Sequence, residues 1–93
     1  REALALNLDA APRHVDLVQV EQVLTALPGV LEVEELHVWG LSTSRTALTS
    51  HLQIDAAGLK QAGISTDQLL ELARQRLAEL GILKCTLQLE TAQ

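Results

Sequence analysis

Two histidines and the only aromatic side chain of the chain lie within fifteen residues of one another. In the segment "ELHVWGLSTSRTALTSHLQID", His37 precedes Trp39 by two residues, and His51 follows His37 by fourteen. Neutral imidazole nitrogens bind Zn²⁺ and related divalent metals, so two histidines on one surface are typical of a metal site. Histidines on a sheet surface are also ordinary solvated or hydrogen-bonded side chains. The spacing by itself leaves both interpretations open.

The segment that carries both histidines has the pattern of a β-hairpin. Two extended runs rich in β-branched and apolar residues, Val30–Trp39 and Thr46–Asp55, flank a short polar turn. A hairpin register centred near Ser44 would make His37 and His51 direct cross-strand partners. The Cβ atoms of such partners lie about 4.5–5.5 Å apart. Two imidazoles at that spacing can bind one metal ion.

Polar residues of the strands are predicted to share one outer face of a sheet. Side chains alternate across a strand, so the polar positions separate from the apolar positions that cover the core. A third strand, predicted over Leu83–Glu90, alternates in the same way. The outer face therefore collects His37, Trp39, His51, Gln88 and Glu90.

Besides the histidines, four residues on or near this face each have a structural and a functional interpretation. Glu90 is either a solvated carboxylate or a metal ligand, and Gln88 is a poor zinc ligand that is better suited to hydrogen-bond a ligand. Cys85 alternates with leucines, as a small core hydrophobe does, or turns outward to join the site. Trp39, a large apolar side chain among polar ones, indicates a covered surface, which we interpret as a subunit interface.

Two helices and three strands make up the predicted fold. Leucines at helical spacing predict a first helix that begins after Asp16 and stops at Pro28, and a second helix that opens with a capping box at Ser65 and ends at Gly81. The glycine-containing segment 56–65 is interpreted as a loop. The order helix-strand-strand-helix-strand (αββαβ) predicts a two-layer α+β domain, with both helices covering one face of a three-stranded sheet.

Composition limits the classes of function. Ninety-three residues with 47% hydrophobic content suffice for one domain. The formal charge of −5 and seven scattered Lys and Arg residues form no basic stripe, so no nucleic-acid partner is expected. The sequence contains no glycine-rich phosphate loop, GxSxG motif or nucleophile-histidine arrangement, so we do not expect an enzyme.

The chain is expected to be part of a longer protein. It begins at Arg1 and contains no methionine, and it has no apolar run approaching the roughly 20 residues that cross a bilayer. We therefore expect a soluble piece of a protein whose membrane portion lies upstream. A single cysteine excludes an internal disulfide and fits a reducing compartment.

Four sequence features, in this order, resemble the cytosolic C-terminal domain of cation diffusion facilitator transporters, which export zinc, cobalt, cadmium and manganese. The features are the helix end Pro28-Gly29-Val30, the tripeptide His37-Val38-Trp39, the strand Leu48-Thr49-Ser50-His51, and the final strand Thr86-Leu87-Gln88-Leu89-Glu90. The resemblance runs from Pro12 onward. It implies a ferredoxin-like, metallochaperone-like fold and a homodimer. Residues 12–93 would form the metal-sensing dimerisation domain at the cytoplasmic face of a membrane, and residues 1–11 would connect it to an upstream transmembrane domain.

The resemblance also implies a regulatory metal site. His37, His51 and Glu90 match ligand positions of the family for Zn²⁺ or another divalent transition metal, such as Co²⁺, Cd²⁺ or Ni²⁺. Gln88 stands where some members have a ligating histidine, and Cys85 remains a weaker candidate. With fewer donors, a single site is expected, and its metal would favour the transport-competent state.

Two alternatives are kept beside this hypothesis. A small-molecule regulatory module, such as an amino-acid-binding domain, has a similar α+β build. A pure dimerisation domain that binds no ligand is the second alternative, and its self-association would be unaffected by chelator.

Overall fold

The computed structural model describes residues 15–92. Residues 1–11, interpreted above as a connecting segment, lie outside the described residues. The described elements follow the predicted αββαβ order, with one additional short helix before the last long one. In chain order they are α1 (Leu17–Thr25), β1 (Val30–Gly40), β2 (Thr46–Ile54), α2 (Ala56–Ala62), α3 (Thr66–Ala78) and β3 (Lys84–Thr91).

The three strands form one mixed sheet with β2 at its centre. The order is β1-β2-β3, with β1 antiparallel to β2 and β2 parallel to β3. The antiparallel pair is the predicted hairpin. A parallel pair needs a long crossover, which α2 and α3 supply. Because β2 is central, its side chains have neighbours on both sides.

The predicted helix starts at Asp16 and Ser65 are confirmed, whereas α1 ends at Thr25, before the predicted stop at Pro28. Asp16 caps α1, since its Oδ1 accepts a hydrogen bond from the Val18 amide at 3.0 Å. Ser65 and Gln68 form the capping box of α3, in which each side chain accepts a hydrogen bond from the other residue's backbone amide. After α3 the chain turns at Gly81, whose φ of 85° lies in the left-handed region.

The prediction of a loop over residues 56–65 is wrong for its first part, which is helix α2. Asp55 caps this helix, with its Oδ1 accepting from the Ala57 amide at 3.1 Å. Gly63, at a φ of 75°, ends it. Leu59 supplies its one buried side chain. One of the two glycines therefore ends a helix instead of marking a loop.

The hydrophobic core lies between the helices and one face of the sheet. Its fully buried side chains come from α1, α3 and the apolar positions of β1 and β2: Val20, Leu24, Val33, Leu36, Val38, Leu48, Leu52, Leu69 and Leu77. The opposite face of the sheet carries the polar alternate positions. Among residues 15–92, no helix is long and apolar enough to span a membrane.

Candidate metal centre on the outer sheet face

The outer sheet face carries both histidines of the hairpin, at different points along it. His37 pairs with Thr49, and His51 pairs with Glu34. The prediction that His37 and His51 are direct cross-strand partners is therefore wrong. Both still line one open groove of about 290 Å³ on this face, so the structure brings them to the same surface.

The register differs from the predicted one because of the hairpin turn. The Leu41 amide donates to the Arg45 carbonyl at 2.7 Å, and the strand pairs beside the turn are centred on Thr43. The prediction had placed the centre at Ser44. A shift of one residue at the centre moves each cross-strand partner by two, which is the displacement observed for His37.

A β-bulge interrupts β1 between Glu34 and His37. The register shifts between Glu34 and His37, so that Glu35 and Leu36 together oppose a single residue of β2. Glu35 has a φ of 51° and is the one non-glycine residue with positive φ among residues 15–92. The bulge also brings Val33 into the core, although strict alternation from Leu36 would put it outside.

Ser50 stabilises the bulge from β2. Its hydroxyl donates to the Glu34 carbonyl oxygen at 2.8 Å, and the residue is 6% exposed. A bulge leaves backbone groups without their usual ladder partners, and a buried carbonyl without a partner is costly. The Ser50 hydroxyl, at a core-facing position, therefore gives the Glu34 carbonyl a hydrogen bond beside the bulge.

His51 is held between two carboxylates. Its Nδ1 lies 3.9 Å from Oε1 of Glu35, and its Nε2 lies 3.4 Å from Oε1 of Glu90. The imidazole is 21% exposed. Nε2 itself is buried and makes no hydrogen bond, because the approach to Glu90 does not meet hydrogen-bond geometry. A buried side-chain nitrogen without a hydrogen-bond partner is unusual in a folded protein.

An amide ties the carboxylates on either side of β2 together. Nε2 of Gln53 donates to Oε1 of Glu90 at 2.7 Å and to Oε1 of Glu34 at 3.2 Å. These bonds join side chains from all three strands. They hold the Glu90 carboxylate beside His51.

The other predicted residues occupy different surroundings. His37 is exposed in the groove, and Gln88 lines it as the β3 partner of His51. Trp39 is partly exposed on the outer face, opposite Ala47 of β2.

Cys85 lies away from the groove that the histidines line. It borders a groove between α3 and β3, beside Arg74. Burial raises the pKa of its thiol, and the Arg74 guanidinium partly opposes that shift by favouring the thiolate. The structure does not bring Cys85 together with His37, His51 or Glu90.

The donor set fits a divalent transition metal. Two donors at 2.0–2.1 Å from a tetrahedral ion lie about 3.3 Å apart. His51 Nε2 and Glu90 Oε1 lie 3.4 Å apart, and the nitrogen has no other partner. Across residues 15–92, no three His, Cys, Asp or Glu side chains converge closely enough to hold a metal. His51 and Glu90 are therefore a candidate pair of donors, and no third such side chain within the described range lies close enough to complete a site.

Three residues of this site were missed from the sequence. Glu34 and Glu35 follow each other, and strict alternation placed Glu34 on the core side. Gln53 lies at an alternate position of β2, on the same side as His51, and nothing in the sequence gives its amide a role. The consecutive glutamates just before His37 were the available signal, since carboxylates beside a histidine are typical of metal sites.

The fold is that of a cytoplasmic domain of cation efflux proteins. Residues 12–92 match the family described as cation efflux protein, cytoplasmic domain, and the chain belongs to that family. The resemblance seen in the sequence is confirmed.

Similar proteins include transporters from distant organisms. The chain is 31% identical over 93 residues to the probable proton-coupled zinc antiporter SLC30A3 of Mus musculus, and 32% identical over 92 residues to the metal cation efflux system protein CzcD of Cupriavidus metallidurans. These alignments cover 100% and 99% of this chain, which spans 23% and 28% of those relatives.

A solved structure shares the fold. The metal-bound C-terminal domain of the CzcD transporter from Cupriavidus metallidurans superposes with a TM-score of 0.69 at 33% identity. The match covers 82% of this chain and 99% of that domain.

Proposed function

We propose that this chain is the regulatory domain of a divalent-cation efflux transporter. It dimerises, binds Zn²⁺ or another divalent transition metal through the outer sheet face, and favours the transport-competent state of a linked transmembrane domain. The single observation that carries the proposal is the buried, unpartnered Nε2 of His51, which lies 3.4 Å from the Glu90 carboxylate. The names of the zinc and metal cation transporters among the relatives support the same class of ion.

His51 and Glu90 are proposed as the first two ligands. His37 lines the same groove, and Glu34 shares the Gln53 amide with Glu90, so these two residues are the candidates for further ligands. Gln88 lies beside His51 and is better suited to hydrogen-bond a bound water or ligand than to bind the ion. When bound, the ion supplies a fixed positive centre shared by side chains of different strands.

Regulation follows from binding linkage. A metal that binds one arrangement of two subunits more tightly than another stabilises that arrangement. The groove is open to solvent, so a second subunit can supply the donors that one chain lacks. The metal-bound arrangement would then be passed to the membrane part through the residues that precede α1.

Calorimetric titration with Zn²⁺ tests this proposal. We expect His51→Ala to weaken binding more than about 100-fold, because removing a ligand costs more than the 10–100-fold typical of a residue that only orients one. His37→Ala is expected to weaken binding less, since this side chain is exposed. Thr49→Ala, which changes the same groove without removing a donor, is the matched control and should bind as the wild type does.

Unchanged zinc binding in both histidine variants would overturn the metal assignment. Self-association that ignores chelator would then favour a dimerisation domain without metal. Stabilisation by amino acids and not by divalent metals would favour a small-molecule module, because a ligand that binds the native state raises the unfolding midpoint.

A further inference from the structure

We propose that Glu35 is a positioning residue for His51, and that the left-handed bulge in β1 exists to place its carboxylate. This inference rests on the proposed function. Glu35 would accept the Nδ1 proton of His51, which leaves the Nε2 lone pair pointing toward Glu90 and the metal. Metal-binding histidines nearly always donate their second ring N–H to a carboxylate, a carbonyl or water.

The bulge is what makes this contact possible. In an unbroken strand, consecutive side chains point to opposite faces. Here two consecutive carboxylates reach the same face: Glu34 contacts Gln53, and Glu35 Oε1 lies 3.9 Å from His51 Nδ1. A rotation that moves the Glu35 carboxylate by about 1 Å brings it to hydrogen-bond distance.

The backbone at Glu35 is the second observation. Its φ of 51° belongs to the left-handed region, where glycine is usual in a bulge of this kind. A glutamate in this conformation is strained, and such strain collects at functional sites. The carboxylate is 73% exposed, so it makes no packing contribution that would explain its presence. A role toward His51 does explain it.

Two substitutions of Glu35 separate positioning from folding. Glu35→Gly removes the carboxylate and relieves the strain, so we expect an unfolding midpoint of the metal-free chain equal to or above that of the wild type. Zinc affinity should nevertheless fall about 10-fold, the lower end of the range for residues that orient a ligand, because the carboxylate is exposed. Glu35→Gln keeps the strained backbone and should also lose affinity.

The tautomer of His51 gives a readout that a structural role would not move. Glu90, 3.4 Å from Nε2, favours the Nε2–H form of the metal-free ring, and Glu35, 3.9 Å from Nδ1, favours the Nδ1–H form. Long-range ¹H–¹⁵N NMR of the metal-free chain, at a pH where the ring is neutral, should therefore show a larger population of the Nδ1–H form in the wild type than in the Glu35 variants. In Glu35→Gln and Glu35→Gly the Nε2–H form should gain population. Glu32→Gln removes the same charge from an exposed position of β1 and should change neither the tautomer nor the affinity.

The results distinguish this inference from the proposed function. If His51→Ala abolishes zinc binding while both Glu35 variants bind as the wild type does with an unchanged tautomer, Glu35 has no positioning role and the metal site stands. If affinity and unfolding midpoint fall together in Glu35→Gly, the residue is structural. If His51→Ala leaves binding intact, the metal site itself is wrong, and Glu35 has no ligand to position.

Discussion

The two hairpin histidines differ in chemistry because of where they lie in the sheet. His51 is on the central strand, between β1 and β3, and its imidazole is 21% exposed. His37 is on an edge strand and exposed. An exposed side chain loses more rotamer freedom when it binds an ion than one already confined by neighbours. His51 is therefore expected to contribute most of the affinity.

At the same scale, Cys85 should behave as a shielded thiol outside the metal site. Burial raises its pKa, so little thiolate is present near neutral pH. We expect alkylation by iodoacetamide to be slower than in the urea-unfolded chain and to accelerate as the pH rises. Arg74→Gln should slow it about two- to fivefold further, because the cation that favours the thiolate is lost. Mass spectrometry of the modified fraction over time measures both effects.

Alkylation of Cys85 in the presence of Zn²⁺ is the control for this experiment. Cys85 borders the groove against α3, so saturating Zn²⁺ should leave its alkylation rate unchanged. Protection by zinc would instead place the thiol among the ligands. Alkylation faster in the folded chain than in the unfolded one would contradict the direction of the pKa shift.

At the scale of the elements, the turn from α1 into β1 depends on a glycine. Gly29 has a φ of 76°, and a Cβ there would lie 2.7 Å from Cγ of the buried Leu59 in α2. Gly63 has nearly the same φ, 75°, but nothing within 4 Å of the corresponding position. Gly63→Ala should cost about 1–2 kcal/mol of unfolding free energy for the left-handed backbone alone.

Gly29→Ala should lower the unfolding free energy by about 1–3 kcal/mol more than Gly63→Ala does, because the added methyl group would collide with Leu59. For a chain of this size each kcal/mol lowers the thermal midpoint by about 4–8 °C. Thermal unfolding followed by far-UV circular dichroism measures the pair. Equal thermal midpoints for the two variants would mean that α2 shifts away from the added methyl group without loss of stability.

The elements also show how far the sequence can predict this molecule. Leucine spacing and the caps at Asp16 and Ser65 predicted α1 and α3, because periodic burial and capping are local signals. The bulge at Glu35 was not predictable, since a glutamate gives no sign of a left-handed backbone. Helix α2 was not predicted, because two glycines in a ten-residue segment are typical of a loop, although Asp55 is a good N-cap residue.

The sequence also predicted the candidate site only in part, because strand alternation is a local signal and strand register is not. Alternation placed His37, His51, Gln88 and Glu90 on one face, where the structure has them. The partners of His51 depend on register, and register depends on the turn and the bulge. The contacts of Glu35 with His51 and of Glu34 with Gln53 therefore follow only from the three-dimensional arrangement.

At the scale of the whole molecule, the outer face is expected to form a dimer interface at Trp39. This side chain is partly exposed beside the polar groove. Trp39→Ala should raise the dimer dissociation constant about 30-fold, which corresponds to about 2 kcal/mol for a buried aromatic anchor. Sedimentation equilibrium, with and without chelator, measures this constant.

Leu83→Ala is the control for this change. Leu83 is 67% exposed and borders the groove beside α3, so this substitution removes apolar surface from another part of the molecule. The dimer dissociation constant of the Leu83→Ala variant should match that of the wild type. An equal weakening by both variants would show that general surface hydrophobicity drives association, and unchanged association in Trp39→Ala would remove this residue from the interface.

The mixed sheet has a consequence for when the chain can capture metal. His51 lies on the second strand, while Glu90 lies on the third, which reaches β2 only after the crossover through α2 and α3. Parallel pairing of this kind joins distant parts of the chain and forms late in folding. A nascent chain that ends at β2 carries the imidazole without its carboxylate. If His51 and Glu90 bind zinc as proposed, the chain can capture the ion only after β3 has been made and has paired with β2.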